Sequence, residues 1–300
     1  MAAIAGLELW QWWQAARRSA EAASIPINEA DWLLQEVSGL DRLALHLQSF
    51  KQWPTVELSV SLSELQDLWQ QRVQARVPVQ YLAGKVHWRQ FTLAVSPAVL
   101  IPRPETEYSI DLAAAAVARS GDFSLAEGSW VDLGTGSGAI AIGLADAFPQ
   151  AAVYATDVST AALAVAQQNA VTLGFASRIH FHQGTWWEAL PTELHGQLSG
   201  MVSNPPYIPS ALLPGLQPEV AHHEPHLALD GGGDGLACVQ QLIDNAHQFL
   251  RPGGIWLVEL MAGQAQTVAD LLRQAGGYQA IQIHLDLAGI ERFVSAHFLA

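Results

Sequence analysis

Trp130-Val-Asp132-Leu-Gly134-Thr135-Gly136-Ser137-Gly138-Ala139-Ile-Ala-Ile is the stretch from which the fold can be read. An apolar run ends at an aspartate, breaks on three alternate glycines and resumes as an apolar helix. That is the layout of the first strand, loop and helix of a nucleotide-binding α/β fold. Glycines in such a loop let the backbone come close to a ligand. The third glycine of a dinucleotide fingerprint would fall at Ala139, so a pyrophosphate cradle fits poorly and a ligand without phosphates fits better.

Downstream of this loop, β-forming runs alternate with helical ones. Strands are predicted over 130–133, 152–156, 178–182, 200–203, 255–259, 280–285 and 292–298, and helices over 139–148, 160–173, 236–250 and 264–275. The implied architecture is α/β, a seven-stranded, mostly parallel sheet with helices on both faces. Upstream, Pro102-Arg103-Pro104-Glu105-Thr106-Glu107 opens a helix to about residue 119, with prolines and carboxylates where a helix N-terminus tolerates them. Residues 81–99 alternate as a hairpin would. Before Pro78 the pattern is helical, with Leu62, Leu65, Leu68, Trp69 and Val73 on one face and a helix start at Asn28 after Pro26. The chain therefore reads as a small helical N-terminal domain over 1–77, a β-hairpin linker over 78–103 and the sheet domain over 104–300.

The composition agrees with two domains. The 300 residues are 50% hydrophobic and 14% charged, which excludes intrinsic disorder. The net charge is −14, of which 1–85 carry −2 and 86–300 carry −12, a poor surface for tracking nucleic-acid phosphates. No apolar stretch approaches the ~20 residues that cross a bilayer, and the expected location is the cytoplasm. The single cysteine, Cys238, reads as a buried small hydrophobe. Seven of the eleven tryptophans fall in or just after the helical unit and read mainly as core, partly as a contact surface.

Two further positions carry chemistry. Asp157 ends the second strand 25 residues after Asp132, where a carboxylate can accept hydrogen bonds from both hydroxyls of a ribose; its alternative role is to cap the helix that begins near Thr160. The fourth strand ends in Ser203-Asn204-Pro205-Pro206-Tyr207. Consecutive prolines fix the backbone and remove two donors, leaving carbonyl oxygens toward the cleft, and Asn204 adds an amide oxygen. Together they make an acceptor pair for the two hydrogens of an NH₂ group, with Tyr207 able to cover the flat group. His222, His223, Glu224 and His226 match no zinc spacing and read as a loop, and Asp230-Gly-Gly-Gly-Asp234-Gly235 reads as a turn before a helix.

These motifs resemble those of S-adenosylmethionine-dependent methyltransferases that modify NH₂ nitrogens, and among them the peptide chain release factor glutamine N5-methyltransferases. The resemblance rests on Pro78-Val-Gln-Tyr81-Leu-Ala-Gly84, Leu100-Ile-Pro-Arg-Pro-Glu-Thr-Glu107, the glycine loop, Asn204 to Tyr207, Glu224-Pro225 and Arg251-Pro-Gly-Gly254 leading to Glu259. It implies a Rossmann-like methyltransferase sheet, S-adenosylmethionine as cofactor with S-adenosylhomocysteine as product, and class I release factors as partners. It implies that Gly134, Thr135, Gly136, Ser137 and Gly138 line the methionine part of the cofactor, that Asp157 holds its ribose and that Trp186 lies near its adenine. Asn204 would contact both cofactor and substrate, with Pro205, Pro206 and Tyr207 completing the glutamine site and Asn204 and Pro205 catalytic. Thr185 stands where relatives often carry aspartate, and Met261 where they often carry glycine. The competing readings are adenine N6-methylation of nucleic acid, against which the acidic surface speaks, and a silent adenosine-binding adaptor, against which the intact Asn204 speaks. No direct binding of nucleic acid, metal or membrane is expected.

Overall fold

The computed structural model describes residues 2–299. Two compact units emerge, Met1–Gly84 with Pro218–His223, and Lys85–Gln217 with Glu224–Ala300. The division falls at Gly84, whereas the sequence pattern predicts boundaries at 77/78 and 103/104, and a short segment from far downstream joins the first unit.

The first unit is built from α1 (Gly6–Ala22), α2 (Asn28–Ser38), α3 (Arg42–Leu47), α4 (Leu62–Gln74) and α5 (Val79–Ala83), with β1 (Ala2–Ile4) antiparallel to β2 (Val56–Leu58). Asp41 caps α3 by accepting from the Ala44 N–H, and Ser61 and Glu64 close a reciprocal capping box on α4. Leu9, Trp13, Leu33, Leu34, Phe50, Leu65 and Trp69 form its core. Trp13 and Trp69 are buried there while Trp53 is 43% exposed, so tryptophan serves here chiefly as core. One charge lies inside: Arg72, 2% exposed, is clasped by Glu29 at 2.5 Å and by Glu219 of the Pro218–His223 segment at 2.8 Å. A buried guanidinium is tolerable only when paired in this way.

The second unit opens with the hairpin β3 (Lys85–Trp88) and β4 (Phe91–Ala94), followed by α6 (Tyr108–Ser120). Then come β5 (Ser129–Leu133), α7 (Ala139–Ala147), β6 (Ala152–Asp157), α8 (Thr160–Thr172), β7 (Ile179–Gln183) and β8 (Leu198–Ser203). After α9 (Pro218–His223), which packs in the first unit, follow α10 (Ala237–Ala246), β9 (Leu250–Glu259), α11 (Ala265–Ala275), β10 (Tyr278–Leu285) and β11 (Glu291–Phe298). The sheet order is β10-β11-β9-β8-β5-β6-β7, parallel except around β11, which runs antiparallel to both its neighbours. Successive strands step one way from β5 to β6 and β7, and the other way to β8 and β9. The crevice at the carboxyl ends of β5 and β8 is thus the topological switch point where α/β sheets hold ligands.

Burial explains the strand sequences. All six residues of β8 are buried, as a central parallel strand requires. Gly200 in β8 makes room for Trp130 of β5, since a Cβ there would lie 2.4 Å from the indole. Trp130 in turn stacks on Phe148 and donates to the Leu125 carbonyl. The structure revises two boundaries. The helix expected over 236–250 is only Ala237–Ala246, and the strand expected from Ile255 begins at Leu250, with Arg251-Pro-Gly-Gly254 inside β9 as an irregularity where the pairing with β8 jumps from Leu198–Leu250 to Gly200–Ile255. Gly253, with φ +80°, supplies the backbone turn this bulge needs.

Candidate active site

A cavity of about 330 Å³ opens at the switch point, bordered by Gly134, Gly136, Asp157, Trp186, Asn204 and Pro206 among others. These expected site residues are brought together from four separate loops. Thr135, Ser137, Gly138, Pro205 and Tyr207 do not border it. Each of these five has work behind the wall or is packed there. The Thr135 hydroxyl donates to Asp132 at 2.6 Å, Ser137 is 3% exposed with its carbonyl taken by Asn169, and Gly138 starts α7 in the left-handed region against Ala166. Pro205 is buried, and the Tyr207 hydroxyl points to Glu259 at 3.4 Å, so Tyr207 does not cover the cavity as expected.

The glycine loop hangs from β6. The N–H groups of Gly134 and Thr135 both donate to the Thr156 carbonyl, at 2.9 and 2.8 Å. Gly134 adopts φ +79°, and a Cβ there would stand 3.0 Å from the Trp186 ring, so a glycine is needed both for the turn and for the indole that covers it. Asp132 sits beneath, fully buried. One oxygen accepts from Thr135 and from the Ala141 N–H, the other has no partner among the described residues, and burial pushes its pKa up to about 7.

Asp157 accepts from the Gly136 N–H with one oxygen and from the Ser159 N–H with the other, both at 2.9 Å. It does not cap α8; Ser159 does, through the Ala162 N–H. Burial raises the Asp157 pKa, against the opposing pull of these backbone donors. A carboxylate has about four acceptor sites, so acceptor capacity remains for a ligand.

Asn204 follows directly on β8 and donates through Nδ2 to the Thr106 hydroxyl at 3.2 Å, which leaves its carbonyl oxygen uncommitted to that partner. The chain after it is packed by glycine. A Cβ on Gly231 would lie 2.8 Å from the Pro206 carbonyl oxygen, and one on Gly235, at φ +80°, would lie 2.2 Å from that of Tyr207. The Asp230-to-Gly235 segment is therefore the bed on which Asn204 to Tyr207 rest, more than a turn before a helix. Gln264 adds a donor to the Tyr207 carbonyl at 3.0 Å.

A model of the methyltransferase small domain matches residues 107–212, and one of the PrmC N-terminal domain matches residues 8–84. The release factor glutamine methyltransferase of Synechocystis sp. is 53% identical over 297 residues, covering 99% of this chain and 98% of that protein. The chain belongs to the release factor glutamine methyltransferases. That of Thermosynechococcus vestitus is 43% identical over 295 residues, covering 98% and 99%. Among solved structures, the catalytic domain of hMettl16 in complex with a 3′UTR hairpin matches with a TM-score of 0.52 at 14% identity, over 81% of this chain and 84% of that one. That likeness is one of fold alone.

The structure adds site residues that the sequence reading passed over in this methyltransferase. Asn169 of α8, 2% exposed, exchanges two hydrogen bonds with Ala94 at the end of the hairpin and donates to the Ser137 carbonyl, tying hairpin and glycine loop together. A lone asparagine on an otherwise apolar helix face is the signal that marks it. Glu224, from the histidine-rich run, is buried and receives Arg103 at 2.5 Å. Cys238 is not a core residue: it is half-buried and borders the cavity, with burial raising its thiol pKa.

Proposed function

We propose that this methyltransferase transfers a methyl group from S-adenosylmethionine to the side-chain amide nitrogen of the glutamine in the Gly-Gly-Gln segment of class I release factors. The observation that carries the reading is Asn204, with its Nδ2 committed to Thr106, at the rim of a cavity that also holds the glycine loop and Asp157. The residues present suit the cofactor. Backbone at Gly134 and Gly136 can approach it closely, Asp157 keeps acceptor sites for a ribose, and the Trp186 ring offers a face for a flat base. When bound, the cofactor supplies a methyl group on a sulfonium, an electrophile that loses its charge on transfer.

The protein's own task is set by the nucleophile. An amide nitrogen has its lone pair delocalised into the carbonyl and reacts poorly. Two acceptors, the Asn204 side-chain oxygen and the Pro205 carbonyl, would take the two amide hydrogens and orient the nitrogen for in-line attack. Such preorganisation works through proximity and fixed dipoles, without a covalent enzyme intermediate. Site residues Thr135, Ser137, Gly138 and Tyr207 then shape the cavity from behind, and Pro206 borders it. The N-terminal unit, which holds none of these groups, would dock another part of the release factor and raise the local concentration of the substrate loop. The expected location is the cytoplasm, where translation factors work.

The test is incubation of the protein with labelled S-adenosylmethionine and purified release factor, followed by peptide mass mapping. Label on the Gly-Gly-Gln glutamine, lost when that glutamine is substituted, is the expected result. Label in DNA or RNA but not in protein would overturn it in favour of adenine methylation.

A further inference from the structure

The Ile101-Pro-Arg-Pro-Glu-Thr106-Glu107 segment is the most distinctive in the chain, yet none of its side chains borders the cavity. Thr106 is 4% exposed, on a single helical turn, Glu105–Glu107. Its hydroxyl oxygen accepts from Asn204 Nδ2 at 3.2 Å. On its other side lies Glu259, at the carboxyl end of β9, next along from the Ser203–Val258 pair and hence abreast of Asn204. Glu259 is 2% exposed; Tyr207 approaches one oxygen at 3.4 Å and the other has no hydrogen-bond partner among the described residues. Burial raises the Glu259 pKa, and the Thr106 hydroxyl beside it opposes that rise.

A hydroxyl has one hydrogen to give, and Glu259 can only accept once it is ionised, above its pKa of about 7. If Thr106 gives its hydrogen to Glu259, its oxygen can only accept from Asn204. The direction of the whole chain is then set: Glu259 accepts from Thr106, Thr106 accepts from the Asn204 NH₂, and the Asn204 carbonyl oxygen is left for another donor. We propose that Thr106 is a positioning residue, whose hydroxyl, oriented by Glu259, holds the Asn204 carboxamide with its oxygen toward the substrate NH₂. This rests on the assignment of a glutamine amide as substrate. A carboxamide turned the other way would oppose donor to donor, so that without Thr106 a fraction of the enzyme would present the wrong end.

Thr106→Val and Thr106→Ser separate this role from packing. Valine keeps the shape and loses the hydroxyl, whereas serine keeps the hydroxyl and loses a buried methyl group. A structural role predicts that activity follows thermal stability in both variants; a positioning role predicts that activity follows the hydroxyl. The expected result with release factor as substrate is a fall in kcat of at least about tenfold for Thr106→Val. S-adenosylmethionine affinity should stay within about twofold of the unmodified protein, and Thr106→Ser should recover most of kcat whatever its melting temperature. Equal kcat for Thr106→Val and the unmodified protein would overturn the inference while leaving the substrate assignment intact. So would a serine variant as slow as the valine one. Failure of the unmodified protein to methylate release factor would overturn the substrate assignment, and the inference with it.

Discussion

Replacing Asp157 separates two effects that one carboxylate produces. Its oxygens hold the Gly136 and Ser159 N–H groups, so Asp157→Ala leaves two backbone donors without their partner. The Asp157 pKa is raised, which means that the fold disfavours the charge itself. The stability at stake is therefore that of two ordinary hydrogen bonds, about 0.5–1.5 kcal/mol each, and the expected loss is about 1–3 kcal/mol. For a unit of this size that lowers Tm by about 2–4 °C per kcal/mol. Asp157→Asn should lie between, because its single oxygen can serve one N–H while its NH₂ confronts the other. Ligand affinity should suffer separately. With the acceptor sites gone in Asp157→Ala and the charge and one oxygen gone in Asp157→Asn, S-adenosylmethionine should bind at least about tenfold more weakly to either variant, or ~1.4 kcal/mol, by calorimetry on folded protein. The unmodified protein should also lose affinity as pH falls, beginning above the ordinary carboxylate range because protonation of Asp157 removes the charge early. An Asp157→Ala protein that melts lower but binds the cofactor unchanged would make Asp157 a loop strut and refute the ribose assignment.

Asn204→Ala should leave cofactor affinity nearly unchanged and slow single-turnover methyl transfer by about 10²–10³, as for deletion of one preorganised polar group; equal losses in both would mean that it supports the cofactor or the fold. Gly235→Ala, whose Cβ would lie 2.2 Å from the Tyr207 carbonyl oxygen at φ +80°, should displace the bed of Asn204 and reduce methyl transfer more than cofactor binding, measured in the same two assays. Asp132 and Glu259 both have pKa values pushed up to about 7 by burial, so the folded state holds their protons more tightly than the unfolded chain does. Their contribution to stability is complete below the ordinary carboxylate range and is lost as pH rises toward and through 7, at up to about 1.4 kcal/mol per pH unit for each group. Melting curves between pH 5 and about 8 should fall with pH, and Asp132→Asn should flatten the slope. A Tm that rises over that interval would contradict the burial argument.

The central strands were legible because they are buried on both faces. Val131 to Leu133, Met201 to Ser203 and Ile255 to Val258 are inside the protein, and such strands announce themselves as apolar runs between glycines, prolines and helices. The apolar pattern does not carry local chemistry inside a strand, which is why β9 starts five residues before the expected Ile255. Arg251-Pro-Gly-Gly254 has the composition of a turn, and nothing in composition says that a register jump against β8 will absorb it into β9. The placement of Pro218–His223 in the first unit was equally hidden, since it depends on Glu219 meeting a buried Arg72 distant in sequence.

At the site, the groups at strand ends were legible, whereas Cys238 and the groups that hold the loops were not. Gly134, Gly136, Asp157 and Asn204 lie at strand ends, where the topology alone assigns a ligand-facing role. Asn169, Thr106, Gly231 and Gly235 act through neighbours remote in sequence, and each resembles an ordinary residue of its element until the neighbour is known. The supporting residues are nonetheless what turn the loops into a site. A loop is mobile by default, since fixing each backbone residue costs about 1–2 kcal/mol of conformational entropy. In the proposed role, Asn204 is held by prolines that stiffen its chain, glycines that admit that chain close to the next loop, and Thr106, which takes one end of its carboxamide. Each of these constraints is met before a substrate arrives, so the cost of orienting the acceptor falls on folding and not on the reaction.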